Sequence, residues 1–355
     1  MAAWRALARD HWRKAVHWVI VGGALGYLAW RIPGFVGEVA HSGSILAHLE
    51  WTWLAVAIVC GLGALVAYGE MHRQLLLVGG ARLSVPTVQG INIVENAIST
   101  TVPVVGGAGA LAYAIDQLRR RGVDAALASW SVLVAGLLDT LALVAMGALA
   151  LAWAHRIPSG LGVVLAAVTT AVAVGGWTVL THPVVLRAGL HGLLRVGNLI
   201  PVGCADCRQA RSARVEASAK RLADRLALLR PGTSRWLLLT GLAVVSWSLD
   251  YFTLTSVVAA IGFPVPWPVL AVGFLVVQGS IALQIFPGGA GLAETGLLGV
   301  IVATGAAVGP AAAIVLIYRA ISWLGLSLLG WVVYGVWIHR SPVHLHRHVP
   351  ELMTA

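Results

Sequence analysis

Several apolar runs of about 20 residues succeed one another along the chain, each long enough to cross the ~30 Å hydrocarbon core of a bilayer as an α-helix. Inside lipid every backbone N–H and C=O needs a partner within the protein, which only helices and closed barrels provide. The runs here are continuously apolar, not alternating, and so predict helices. Charged residues make up 11% of the 355-residue chain, against about 25% in soluble domains. The mean hydropathy is +0.85. The expected fold is therefore an all-α polytopic membrane protein. Six clear spans are expected, at roughly 15–36, 51–69, 126–154, 159–181, 236–260 and 310–338. Two further regions, 86–115 and 268–308, are apolar but interrupted, which gives about eight apolar segments or more.

The net charge is +10, but its distribution points away from nucleic acid. The basic residues cluster in segments beside the spans: Arg5, Arg9, Arg13 and Lys14; Arg73 and Arg82; Arg119, Arg120 and Arg121; ten Lys or Arg in 182–235; and Arg340 and Arg347. The connections 37–50, 155–158 and 261–267 carry only Arg156. This bias is that of cytoplasmic loops facing anionic headgroups. All basic segments fall on one side if each interrupted region returns to its starting side, which puts both termini in the cytoplasm of a plasma-membrane protein. The N-terminus, MAAWRALARDHWRKAVHWVIVGG, reads as a retained first helix and not as a cleaved signal. Charge alone leaves open whether each interrupted region is a re-entrant hairpin or a pair of spans. The 30 residues of 86–115 favour a hairpin, because two spans need about 20 residues each. The 41 residues of 268–308 allow either.

The segment 182–235 is a basic connector. Its residues 208–229 read as an amphipathic helix with Val215, Leu222, Leu226 and Leu229 near one face, either lying on the membrane or simply joining two halves. Cys60, Cys204 and Cys207 form no disulfide framework, and one Cys-x-x-Cys without a second pair makes no zinc site. The tail 339–355 is basic, with His339, His344, His346 and His348, and no metal is assigned to it.

The string GGAG occurs twice, at 106–109 and 288–291, after Pro103 and Pro287. A partly polar helix precedes each copy, INIVENAISTT or FLVVQGSIALQ, and a long span follows. This order predicts two repeat units, 51–154 and 236–338, inverted across the membrane. In transporters built that way, substrate sites lie where broken helices meet. Glycine and proline free backbone N–H groups at a half-helix start, which together with the helix dipole favour an anion. Close helix packing through small residues is the competing reading of the glycines. The expected substrate contacts are Pro103, Gly106, Gly107, Gly109, Pro287, Gly288, Gly289 and Gly291, together with the polar residues Asn92, Glu95, Asn96, Asp139, Asp250, Glu294 and Arg319.

Ionisable residues within spans are costly and are functional candidates. Glu294 lies one turn after the second break and Arg319 lies in the last span; they are candidate partners, either as a buried pair that fixes the fold or as a site where Arg319 binds a lipid phosphate while Glu294 tunes it or carries a proton. Asp139 and Asp250 lie mid-span, where each needs a donor or a cavity. Asn92, Glu95 and Asn96 share a helix face by their spacing, which Ser99 continues. That stripe suits a hydrated headgroup path or interhelical hydrogen bonds. No G-x-S-x-G, P-loop, H-E-x-x-H or dinucleotide fingerprint occurs.

FPGGAGLAETGLL followed by IYRAISWLGLSLLG resembles the closing signature of the lysylphosphatidylglycerol synthase transmembrane-region family, also called flippase-like domains. NAISTTVPVVGGAGALAYAIDQLRRRGVDAALAS resembles its first signature, and the likeness spans roughly residues 50–340. Family members often carry a glutamate after the first motif's last glycine, where this chain has Ala110; the second motif keeps Glu294 and Arg319. The resemblance implies a domain that moves lipids or lipid-linked headgroups between leaflets. Some relatives carry a C-terminal synthase domain. Residues 339–355 give no room for one, so lipid synthesis by this chain is not expected.

The function expected from the sequence is a flippase or transporter for an anionic phospholipid or polyprenyl-phosphate lipid. Its phosphate would sit near the two breaks, Arg119, Arg120 and Arg121 would gather headgroups, and Glu294 would be the carrier if transport is proton-coupled. No cofactor and no nucleic acid are expected. The alternatives are a lipid-binding scaffold for a separate envelope enzyme and, further off, an enzyme on polyprenyl-phosphate sugars with Asp139 or Asp250 as base.

Overall fold

The computed structural model describes residues 49–102, 106–180, 232–283 and 286–338. Among them every regular element is helical. The order is α1 (Trp51–Val78), α2 (Val85–Thr101), α3 (Gly106–Arg120), α4 (Ala125–Trp153), α5 (Ser159–Leu180), α6 (Thr233–Ile261), α7 (Trp267–Ala282), a 3-10 turn (Pro287–Gly289), α8 (Leu292–Val302), α9 (Val308–Arg319), a π-helical turn (Ala320–Gly325), α10 (Leu326–Val333) and a second π turn (Tyr334–Ile338). From α9 onward these pieces run as one rod.

Among the described residues four helices are long and apolar enough to cross a membrane: α1, α4, α6 and the rod, as Val308–Val336. In the first three only 28% of the most apolar window is buried inside the protein. Side chains such as Trp51, Val59, Leu133 and Leu237 face outward, an arrangement that suits lipid and not water. Of the six expected spans, four are thus present as such helices. The region 159–181 forms α5, and 15–36 lies outside the described residues. The connector 208–229, Cys204, Cys207, Pro103 and the tail histidines also lie outside them.

Both interrupted regions are broken helices. α2 and α3 have 17 and 15 residues, and α7 and α8 have 16 and 11. At 1.5 Å per residue the longest is about 25 Å, short of the hydrocarbon core. The lengths therefore repeat as long, short, short, long: 28, 17, 15 and 29 residues, then 29, 16, 11 and the 29-residue rod. Two expected loops are shorter than the charges suggested. α1 continues to Val78, because Arg73 Nε and Nη2 each bond the Glu70 carboxylate, at 2.7 and 2.6 Å, and neutralise it within the helix. α3 continues to Arg120, its last-turn arginines facing the carbonyl end of the helix dipole. Gly122, at φ +84°, then turns the chain, and the Asp124 carboxylate accepts the Ala126 N–H to start α4.

Two compact units divide these helices. One contains residues up to Leu65, Asn92–Ala110 and Ser248–Arg340; the other contains Val66–Ile91 and Leu111–Trp247. In the first unit α1 and α6 run antiparallel: the Glu50 N–H donates to Ala260 O, and Gly61 and Gly63 lie against Thr253 and Leu249. The rod crosses α2 where Gly330 lies on Ile93 and Ala97. In the second unit α4 and α5 close together through Gly162 on Ala152, and an apolar cluster around Met71, Leu75, Leu118, Leu127 and Leu239 fills the space between α1, α3, α4 and α6. At these crossings small residues take the place of large ones, as expected where lipid offers no hydrophobic drive to assemble.

A Cβ at position 330 would collide with Ala97 and reach 2.6 Å from the Ile93 carbonyl. Gly330→Val should therefore cost about 1–3 kcal/mol by overpacking. A lowered thermal unfolding midpoint in detergent would show it, while Gly335→Val, with open space around the added Cβ, should change little.

Candidate functional site at the second helix break

The chain enters the second break through Phe286, extended at φ −115° and ψ 149° as a residue before proline prefers. Pro287 then opens a single 3-10 turn. Gly288, Gly289 and Gly291 hold φ of +58°, +70° and +88°, conformations that side-chain-bearing residues adopt only at a cost. At Gly288 a Cβ would also strike the Trp323 indole. Pro287-Gly-Gly-Ala-Gly is thus the sequence of a compact, buried reversal. The first copy behaves differently. Gly106, Gly107 and Gly109 lie within the first turn of α3, and none has a positive φ. Gly106 there abuts the Ser99 and Ile98 carbonyls, so α3 starts packed against the end of α2. Proline directly before the string, instead of three residues earlier, separates the two conformations.

Glu294 is the third residue of α8 and caps it from within: its Oε2 accepts the Gly291 N–H at 2.5 Å. Its Oε1 accepts from Arg319 Nε at 2.8 Å, joining the two candidate partners. Arg319 Nη2 donates to Gly288 O, inside the reversal. The guanidinium carbon lies 4.8 Å from the centre of the Trp323 ring, a cation–π contact. Arg319 is 1% exposed, and its charge is shared out among a carboxylate, a carbonyl and a ring face.

From Trp323 the network continues to the first broken segment. Trp323 Nε1 donates to Thr100 O at 3.2 Å, the Thr100 and Ser327 hydroxyls bond at 3.0 Å, and Trp331 Nε1 donates to Thr101 Oγ1 at 3.2 Å. Arg319, Trp323, Ser327 and Trp331 recur every fourth residue. In a plain α-helix such a stripe drifts away from one face, because a turn takes 3.6 residues. The π turn at 320–325, with its wider i→i+5 bonding, offsets part of that drift. One rod thereby holds the second break through Arg319 and the last turn before the first break through its next three members.

The other candidates fall as follows. Asp250 finds donors: Gln278 Nε2 at 2.8 Å to Oδ2 and Tyr318 OH at 3.5 Å to Oδ1. Asn92 Nδ2 donates to Leu65 O at 2.9 Å. Glu95 is buried with Oε2 unbonded, and Asn96 is half-buried. Asp139 is half-buried in the second unit, and its main-chain carbonyl accepts from Trp247 Nε1. In that unit Arg120 pairs with Asp116 at an exposed position, Arg121 bonds Gln117, and Arg119 is exposed. The residues missed from sequence are Gln278, Tyr318, Trp323, Thr100 and Ser327. The four-residue spacing in RAISWLGLSLLGW was the signal for three of the rod's contacts.

These features define a helical multi-spanning membrane protein with buried polar clusters at a broken helix. The chain belongs to the lysylphosphatidylglycerol synthase TM region family, whose model matches residues 18–330. No curated protein matches the sequence.

Removing one member of a buried ion pair strands the other, at about 3–5 kcal/mol. Arg319→Met and Glu294→Leu should each lower thermal stability strongly, and the double variant carrying both should cost less than the sum of the single losses. Additive losses in that double-mutant cycle would rule out the coupling.

Proposed function

We propose that this protein moves a phosphate-bearing lipid between leaflets, as a flippase or transporter of anionic phospholipid or polyprenyl-phosphate lipid. The observation that carries the reading is the grip of one rod on both broken segments. A displacement at either break is then felt at the other, as alternating access requires. Family membership supports a role with membrane lipid. The recurrence of long, short, short and long helices, together with the antiparallel course of α1 and α6, supports an inverted repeat of 51–154 and 236–338.

The phosphate site follows from the donors. The Gly291 N–H and Arg319 Nε already hold a carboxylate, that of Glu294. A lipid phosphate offers the same oxygen chemistry with more charge, so in this reading it competes with Glu294 for both donors and frees α8 from the rod when it succeeds. Arg119, Arg120 and Arg121 collect headgroups at the cytoplasmic mouth. The arginine-rich ends lie on the cytoplasmic side of a plasma membrane. In the second unit the Gln74–Arg235 bond, at 2.6 Å, places the end of α1 beside the start of α6, as that sidedness needs. No enzymatic step is assigned: Asp250 is bonded to Gln278 and Tyr318, within one unit, while Asp139 lies in the other.

The test is scrambling of labelled phosphatidylglycerol and labelled polyprenyl phosphate by the purified protein in liposomes. Wild type should flip at least one of them, and Glu294→Gln should change the rate about tenfold or more in protein shown to be folded. Folded protein that flips neither lipid yet retains a bound envelope enzyme would favour the scaffold.

A further inference from the structure

The carboxylates of the first unit's membrane helices divide sharply by partner. Glu294 gives one oxygen to Arg319 and the other to the Gly291 N–H. Asp250 gives one to Gln278 and the other to Tyr318. Glu95 stands apart. It is 8% exposed, its Oε2 is buried without a hydrogen-bond donor, and among the described residues no Lys, Arg or His forms an ion pair with it. An uncompensated carboxylate in so apolar a setting costs several kcal/mol. Neutralising such a group takes a proton or another cation.

The surroundings on α2 are rich in oxygen. Asn92, Glu95, Asn96 and Ser99 follow the i, i+3, i+4, i+7 spacing of one helix face. Asn92 spends its amide N–H on Leu65 O, which leaves its Oδ1 as an acceptor. Asn96 and Ser99 are half-buried, and among the described residues their side chains make no hydrogen bond. A carboxylate with neighbouring amide and hydroxyl oxygens is a donor set for a hard cation. Lipid phosphate, being anionic, is repelled by it.

We infer that Glu95, with the side-chain oxygens next to it on α2, forms a monovalent-cation site, for a proton or a sodium ion, separate from the phosphate site at the second break. α2 ends in the two threonines that the rod grips, and the rod carries Arg319, so the path from Glu95 through Thr100 and Trp323 to Arg319 is continuous within one unit. Cation loading on α2 is thereby linked to the hold of Arg319 on Glu294. The cation site stands without the flippase function; its coupling to lipid movement rests on that proposed function.

Two measurements on the full chain in phosphatidylglycerol-containing vesicles test this. The first is difference infrared spectroscopy of the carboxyl C=O band. Wild type should show a protonated-carboxyl band that is lost on raising pH, and Glu95→Gln should lack it. Glu95→Asp should keep it at a shifted frequency, which guards against a folding defect in the Gln variant. Loss on adding NaCl at fixed pH, but not on adding choline chloride, assigns sodium as a competing occupant; indifference to both salts assigns the proton alone. No titrating band in wild type, or the same band in Glu95→Gln, overturns the site. The second measurement is flipping under an imposed pH or sodium gradient. The gradient should change the wild-type rate about tenfold, and the Glu95→Gln rate less than about twofold. A Glu95→Gln response equal to wild type overturns the coupling. A clear Glu95 band in protein that flips no lipid supports the cation site and overturns the flippase reading alone.

Discussion

A guanidinium almost sealed from water imposes its needs on everything near the second break. Moving Arg319 out of water carries a desolvation cost of several kcal/mol, offset only by good geometry on all sides. Its three partners come from three separate pieces of chain: a helix start, the reversal before it, and the next turn of its own rod. The glycine reversal is tied down where Nη2 bonds the Gly288 carbonyl, and Nε holds Glu294 at the head of α8. Charge neutralisation and backbone shape are here one requirement.

The second compact unit follows a different logic. Its interior is an apolar cluster with few polar intrusions, His72 among them, bonded at 3.2 Å to Ser131. Apart from Asp139, midway along α4, the charges singled out there lie near helix ends, as in the chain Arg73–Glu70–Gln74–Arg235. Polar groups of this kind fix where helices end and pair; those of the first unit hold a broken helix in place. The candidate chemistry accordingly gathers in the first unit.

Much of the architecture is legible in the sequence because lipid is an undemanding reader: long apolar runs become helices, and α1, α4, α6 and the rod fall where hydropathy puts them. Charge misleads at the margins. Glu70 and Arg73 read as a loop, yet a pair three residues apart neutralises itself on a helix. The Glu294–Arg319 pair is legible as the intramembrane acid and base that follow the second break. What Arg319 does besides is not, since its bond to Gly288 depends on a left-handed reversal and its contact with Trp323 on a wide helical turn. The two GGAG strings show the limit of matching letters. The copy with proline directly before it is a tight reversal, and the copy with proline three residues earlier opens a helix.

The π turn after Arg319 has a bearing on how this sequence can change. A helix that bonds i→i+5 for one stretch contains, in effect, a residue that an α-helix of the same length would not need. Losing a single residue between Ala320 and Gly325 would let the segment relax to regular α geometry. A further loss beyond that one would find no wide turn to absorb it and would rotate everything after it by about 100°, carrying Ser327 and Trp331 away from Thr100 and Thr101 while Arg319 kept its place. The rod therefore tolerates substitution along its lipid face far better than a change in length, and the spacing from Arg319 to Trp331 is a ruler that sets how far apart the two broken segments can be held.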